Sequence, residues 1–150
     1  HKSKKAIVNI IKSLIIAVLL LSINIALSSM ITIEGNIPEV TGPIEKLFLF
    51  LFVVLSAPIL EEVIFRWGTK SLVDKLELSI SDKAKNLVYI VISSVSFGLL
   101  HITSLDMNGL AIFCFTALSG AIFATVYVKE GKLDVPIIAH ITYNMIIFML

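Results

Sequence analysis

Two glutamates and an arginine lie within six residues near the end of an apolar segment: Glu61, Glu62 and Arg66. A charged side chain near the centre of a bilayer costs about 2.5–3.5 kcal/mol on insertion scales, so each charge needs a compensating partner. On a helix, Glu62 and Arg66 are four residues apart and can pair, whereas Glu61 is rotated by about 100° from Glu62. The cluster is either an interfacial cap on a helix or part of a functional site.

Three further polar residues lie in apolar surroundings nearer the C-terminus. His101 follows Phe97 by four residues, and His140 precedes Asn144 by four. Taken singly, His101 is typical of a packed core residue, and the other two are typical of hydrogen bonds between membrane helices. Together with the two glutamates and the arginine they make six polar side chains in apolar surroundings. Because burying such side chains is unfavourable, their presence there indicates a function.

These residue types suit the hydrolysis of a peptide bond by water. A glutamate in apolar surroundings can act as a general base, and a histidine beside it can hold and polarise the water. A second histidine and an amide one turn away can donate hydrogen bonds to an oxyanion, each worth about 10²–10³-fold in rate. No Gly-x-Ser-x-Gly is present, and the zincin motif His-Glu-x-x-His is absent from the sequence. The single cysteine, Cys114, excludes an internal disulfide and is predicted to be inert packing.

The spacing of these residues resembles the CPBP family of intramembrane proteases, also called the Abi or CAAX amino-terminal protease family. Three family motifs occur here in the family order, Glu-Glu-x-x-x-Arg, Phe-x-x-x-His and His-x-x-x-Asn. They match, in turn, Glu61 with Glu62 and Arg66, Phe97 with His101, and His140 with Asn144. The resemblance covers roughly residues 44–150 and includes a small-residue helix with Ser119 and Gly120, which we expect to serve close packing.

The resemblance implies an intramembrane endopeptidase whose substrate is a membrane-associated protein or peptide. Glu61 with His101 would activate the water, and His140 with Asn144 would stabilise the oxyanion. Glu62 and Arg66 would position the site by their ion pair. Membrane lipids are the other expected partner, no nucleic acid partner is expected, and the bacterial cytoplasmic membrane is the expected location.

Metal dependence is open in this family, some of whose members are described as metalloproteases. If zinc is present, Glu61, His101 and His140 are the expected ligands. We expect a metal-free mechanism without any cofactor, because no pair of these residues has the tight spacing of a metal site.

Membrane helices must position these residues. Apolar residues make up 57% of the 150-residue chain, against about 45–50% in soluble domains. Continuous apolar runs rather than alternation predict an all-α, polytopic transmembrane bundle of about five helices. The runs are 6–33, 44–65, 87–102, 110–128 and 135–150. The third and fifth fall short of the roughly 20 residues that cross a bilayer.

The chain is predicted to hold an N-terminal transmembrane helix with an outer loop, residues 1–43, and a protease core, residues 44–150. The first residue is His1 and the last run is still apolar at Leu150, so we expect a piece of a longer protein. Eleven of the twelve basic residues fall on one side of a five-helix weave, which the positive-inside rule makes cytoplasmic. Those eleven are Lys2, Lys4, Lys5, Lys12, Arg66, Lys70, Lys75, Lys83, Lys85, Lys129 and Lys132.

Local signals predict the connections. Gly and Pro residues within 35–43 predict an outer turn, and residues 70–86 carry apolar residues at helical spacing that suit a short surface helix. Asp134 is predicted to cap the fifth helix, with Pro136 in its first turn.

The depth of His101 conflicts with a simple weave of helices. At about 1.5 Å per residue, Glu61 and His140 lie about 9–10 Å from the cytoplasmic surface and His101 about 24 Å. We therefore expect the third helix to start outside the hydrocarbon and end near His101. The stretch 103–109 would then dip into a protein-lined cavity.

Two other functions compete with proteolysis. A non-proteolytic membrane protein of the same fold, acting in bacteriocin immunity or as a scaffold, would not need all six polar residues of the motifs. A small transporter using the buried charges as a proton relay would be supported by an inverted repeat, and we find none in the sequence.

Overall fold

The computed structural model describes residues 2–30 and 38–150, which contain helices and connecting loops and no strand. Five helices follow one another within these residues. They are α1 Lys2–Met30, α2 Pro43–Lys75, α3 Asp82–Leu100, α4 Met107–Glu130 and α5 Asp134–Met149. The predicted all-α bundle of about five helices is confirmed.

Four of the helices, α1 to α4, are long and apolar enough to cross a membrane by length and composition. The expectation that the third helix is too short is wrong, because α3 begins at Asp82 and has 19 residues. Its start is stabilised by Ser81, whose hydroxyl accepts a hydrogen bond from the Ala84 amide at 3.2 Å. The fifth helix has 16 residues and remains short, as expected.

Helix α2 extends beyond its apolar run, and this overturns the prediction of a separate surface helix within 70–86. Val73 is buried against Tyr89 and Ala124, so packing against α3 and α4 continues α2 to Lys75. The helix ends where Leu76 adopts an extended backbone conformation, and residues 76–81 form a loop.

Two segments of α2, Leu51–Ser56 and Val63–Gly68, are wound in wider π-helical turns. The Ala57 amide bonds to the Phe52 carbonyl, five residues back, in the first of them. These turns enclose the short α-helical stretch Ala57–Glu62, which holds both glutamates. Wide turns of this kind are frequent at functional sites.

The loop before α4 is shorter than predicted. Residues 103–106 are loop, but Met107 to Gly109 form the first turn of α4, because Asp106 caps the helix. One Asp106 carboxylate oxygen lies 2.6 Å from the Ser104 hydroxyl and 2.9 Å from the Gly109 amide, both of which donate to it. These hydrogen bonds hold the pKa of Asp106 below its usual range.

The start of α5 also differs from the prediction. The capping residue is Leu133, and Asp134 is the first helical residue, with its carboxylate accepting from the Val135 amide at 2.9 Å. Pro136 lies in the first turn, as predicted. Of the predicted outer turn, Gly42 caps α2 and Pro43 begins it, and the part within 31–37 lies outside the described residues.

Helices α3 and α4 pack closely through small residues. A Cβ atom added at Gly98 would lie 2.9 Å from the Ala117 Cβ, and one added at Gly120 would lie 3.1 Å from the Ser94 Cα. The close approach brings Phe97 of α3 against the interior of the bundle, where it is 2% exposed. Gly120 thus serves packing, as expected.

The predicted basic side corresponds to one end of the bundle. Asn9 near the start of α1 donates to the Asp134 carboxylate at the start of α5, at 2.7 Å. Lys70 near the end of α2 lies 5.9 Å from the Tyr89 ring near the start of α3, and that ring lies 6.3 Å from the Tyr127 ring near the end of α4. The basic loops therefore share one end.

Candidate active site

A fully buried ion pair joins Glu62 and Arg66 one turn apart on α2. The Arg66 Nε donates to Glu62 Oε2 at 2.8 Å, and a terminal guanidinium nitrogen donates to Oε1 at 3.2 Å. The other terminal nitrogen donates to the Ser93 hydroxyl at 2.7 Å, and Ser93 donates to the Phe65 carbonyl at 2.7 Å. The two-point contact fixes the carboxylate plane as well as its charge.

Two aromatic rings enclose this pair. The Arg66 guanidinium carbon lies 4.7 Å from the centre of the Phe97 ring and 5.5 Å from that of Phe123, within cation–π range. The charge is therefore surrounded by hydrogen-bond acceptors and ring faces rather than left bare in the bundle interior.

His140 connects the ion pair to the neighbouring glutamate. Its Nδ1 lies 2.9 Å from Glu62 Oε1, and because a carboxylate paired with Arg66 only accepts, Nδ1 must carry the hydrogen. The opposite ring nitrogen, Nε2, lies 3.6 Å from Glu61 Oε2. The ring stacks on Phe123 with centroids 5.0 Å apart, which holds this orientation.

His101 presents the same nitrogen to Glu61 from the other side. It caps the C-terminus of α3, and its Nδ1 lies 2.7 Å from the Phe97 carbonyl, which can only accept. The Nε2 atom lies 3.9 Å from Glu61 Oε1. The predicted end of the third helix near His101 is thus the feature that delivers this side chain to the site.

Glu61 lies between the two histidines, with a side chain that is 20% exposed, whereas that of Glu62 is fully buried. Each Glu61 oxygen faces one imidazole Nε2. The separations of 3.6 and 3.9 Å are too long for direct hydrogen bonds and short enough for one bridging water.

These side chains face a cavity of about 420 Å³. Its polar lining includes Glu61, His101, His140 and Asn144, so the structure brings together the residues that the motifs predicted. Thr103 also lines it, whereas Leu105 is fully exposed, so only part of the predicted 103–109 segment reaches the cavity. The remaining lining is mainly apolar: Leu20, Pro38, Val53, Ala57, Phe97, Ile112, Phe115, Thr116, Ser119, Phe123 and Tyr143.

Asn144 is held by the backbone of α2. Its side-chain nitrogen donates to the Val53 carbonyl at 3.0 Å. An amide nitrogen carries two hydrogens, so this bond leaves one of them for another acceptor. The contact was not predicted from the sequence.

The donor set of Glu61, His101 and His140 has the chemistry of a zinc site. Within residues 2–30 and 38–150, however, no three His, Cys, Asp or Glu side chains are arranged so that they could hold a metal ion.

Several residues at the site escaped the sequence analysis. Ser93 follows the same four-residue spacing as Phe97 and His101 on α3, a signal that was present in the sequence. Phe123 and Tyr143 carried no such signal. Asn24 of α1 donates to the Tyr143 hydroxyl at 2.9 Å, so the first helix also supports the cavity wall.

Comparison with known proteins gives a match to a protein family. A family model described as Type II CAAX prenyl endopeptidase Rce1-like matches residues 43–146, which include all seven motif residues and begin at the first residue of α2. No curated protein and no solved structure gives a significant match.

Proposed function

This chain belongs to the type II CAAX prenyl endopeptidase Rce1-like family, and from that premise we propose that Glu61 and His101 activate the water that cleaves its substrate. It is an integral membrane endopeptidase that acts on a protein or peptide. The observation that carries the proposal is the pair of imidazole Nε2 atoms facing the two Glu61 oxygens in one cavity.

The proposed reaction begins with a water between Glu61 and His101. The oxygen of the water forms a bond to the carbonyl carbon of the substrate, and Glu61 accepts a proton from the water at the same time. The tetrahedral intermediate then collapses, the carbon–nitrogen bond breaks, and the proton held by Glu61 passes to the leaving amine. The glutamate is returned to its starting form, so each cycle consumes one water and one peptide bond.

His140 and Asn144 are proposed to stabilise the oxyanion formed in the first step. Because the His140 Nδ1 hydrogen is directed at Glu62, His140 donates to the oxyanion from Nε2 only as an imidazolium. Asn144 has one amide hydrogen beyond the one directed at Val53. Glu62 and Arg66 are proposed to position His140 rather than to touch the substrate.

The membrane orientation is also a proposal. The basic loops share one end of the bundle, and the positive-inside rule assigns that end to the cytoplasm. A bacterial cytoplasmic membrane and a membrane-associated substrate are proposed from the resemblance to the CPBP family.

The test is cleavage of a peptide library by the purified protein, with Glu61→Ala beside the wild type. Glu77→Ala is a matched control, since Glu77 is exposed in the loop after α2. We expect product from the wild type and the control and none from Glu61→Ala. Equal cleavage by Glu61→Ala would contradict the role of Glu61, and no cleavage by the wild type would favour the non-proteolytic alternative.

A further inference from the structure

The Val53 carbonyl in α2 lacks the two backbone donors of regular α- and π-helical spacing. In an ordinary α-helix its donor would be the Ala57 amide, which here bonds to the Phe52 carbonyl instead. In the wider π-helical spacing its donor would be residue 58, which is a proline and has no N–H. The i+4 and the i+5 donors are therefore both removed.

The Asn144 side chain supplies the missing donor, with its nitrogen 3.0 Å from the Val53 oxygen. A carbonyl oxygen can only accept, so this contact requires that the nitrogen, and not the oxygen, of the amide faces α2. The contact thus selects one of the two flips of the Asn144 amide and directs its second N–H away from Val53. Val53 and Asn144 both line the cavity that holds Glu61.

We propose that Pro58 is a positioning residue for Asn144. By lacking an N–H, Pro58 keeps the Val53 carbonyl free to accept from Asn144, and this bond aims the second amide hydrogen at the oxyanion. The proposal rests on the oxyanion role of Asn144 in the proposed function. Pro58 itself is fully buried in the stretch that carries Glu61 and does not line the cavity, so it acts through Asn144.

A double-mutant cycle tests this coupling in the whole 150-residue chain in detergent, with kcat and KM measured for peptide cleavage. Asn144→Ala is expected to lower kcat by about 10²-fold. Pro58→Ala is expected to lower kcat by about 10-fold or more with KM unchanged, because its new N–H competes for the Val53 carbonyl. Adding Pro58→Ala to Asn144→Ala is expected to cause no further loss. Pro43→Ala is the control, since Pro43 begins α2, where no backbone N–H is needed.

An ester substitution isolates the N–H from the proline ring. Lactic acid at position 58 has the side chain of alanine but an ester oxygen in place of the N–H. We expect this variant to retain the kcat of the wild type, in contrast to Pro58→Ala. An equal loss in both variants would show that the ring matters, and would overturn the proposal.

The remaining outcomes are also decisive. If losses from Pro58→Ala and Asn144→Ala multiply, the two residues act independently and the positioning role is wrong while the proposed function stands. If Asn144→Ala has the kcat of the wild type, the oxyanion role fails and the positioning role fails with it. Should Pro58→Ala not fold, an ester linkage between Val53 and Val54 weakens the same acceptor. This ester should lower kcat when it is introduced into the wild type, but not when it is introduced into Asn144→Ala. An unchanged kcat in the wild-type background would overturn the proposal.

Discussion

Glu61 and Glu62 are adjacent residues of the same type in two different environments. Glu62 is fully buried, and Arg66 and His140 bond both of its oxygens at 2.8–3.2 Å. Glu61 is partly exposed to the cavity, and its nearest imidazole nitrogens lie at 3.6 and 3.9 Å. The rotation of about 100° per residue along a helix is enough to separate a positioning group from a group free to react.

The two histidines bridge these environments. Each directs Nδ1 to a fixed acceptor, Glu62 Oε1 for His140 and the Phe97 carbonyl for His101. Each directs Nε2 to Glu61 in the cavity. The buried Glu62–Arg66 pair thus sets the ring orientation of His140 and keeps a hydrogen on its Nδ1. The carbonyl at the end of α3 does the same for His101.

The largest effect on activity should come from substitution of Glu61, the glutamate that faces the cavity. Glu61→Gln keeps the shape of the side chain but removes the base, so we expect kcat to fall by about 10²–10⁴-fold with little loss of folded protein. Turnover and folded yield after size-exclusion chromatography are the measurements. Glu62→Gln is the counterpart and should lower both quantities. Equal losses of yield in the two variants would show that both acids share one structural role.

The largest effect on stability should come from breaking the buried Glu62–Arg66 ion pair. Arg66→Ala leaves the Glu62 carboxylate buried and without its main partner, and breaking such a pair costs about 3–5 kcal/mol. We expect lower folded yield, a lower unfolding temperature in detergent and lower activity.

Lys70→Ala is the matched control for this variant. It removes an i,i+4 ion pair on the same helix, Lys70 with Asp74, whose side chains are 22% and 49% exposed. Such exposed pairs contribute about 0–1 kcal/mol. If the two variants unfold at the same temperature, the buried network has no special structural role.

Asn144 belongs to both environments, since it contacts the α2 backbone and lines the cavity. We expect Asn144→Ala to lower kcat by about 10²-fold or more with KM nearly unchanged, because an oxyanion donor acts in the transition state. Steady-state kinetics on one cleaved peptide separates the two constants. A raised KM with unchanged kcat would instead make Asn144 a substrate-binding residue.

The sequence predicted those features that depend on local spacing. The Glu62–Arg66 pair follows from the i,i+4 spacing, and the helical class follows from continuous apolar runs. Helix ends were predicted less well, because Val73 extends α2 by packing against residues far along the chain, an effect that no local pattern contains. The division of the chain at residues 43 and 44 stays a prediction.

The motifs predicted which residues form the site, but not the distances and orientations of their side chains. The Ser93 contact with Arg66 joins residues 27 positions apart, and the Asn144 contact with Val53 joins residues 91 apart. The Asn144 contact follows from a wide turn and a proline, whose effect on a carbonyl five residues earlier is visible only once the helix geometry is known. Likewise, the choice of Nδ1 as the hydrogen-bearing atom depends on acceptors that the spacing of motifs does not reveal.

The smallest effect is expected from removal of metal ions. A metal would have to bind on the cavity side, at Glu61, His101 and His140, whose facing atoms lie 3.6 and 3.9 Å apart. Asn144 supports the metal-free alternative, since an amide is a poor zinc ligand and a good oxyanion donor. We therefore expect unchanged cleavage after treatment with a chelator, with metal removal verified by elemental analysis. Loss of activity that stoichiometric zinc restores would make these three residues metal ligands. The two environments would then differ in a new way, with Glu62 orienting a ligand histidine through Nδ1 rather than an oxyanion donor.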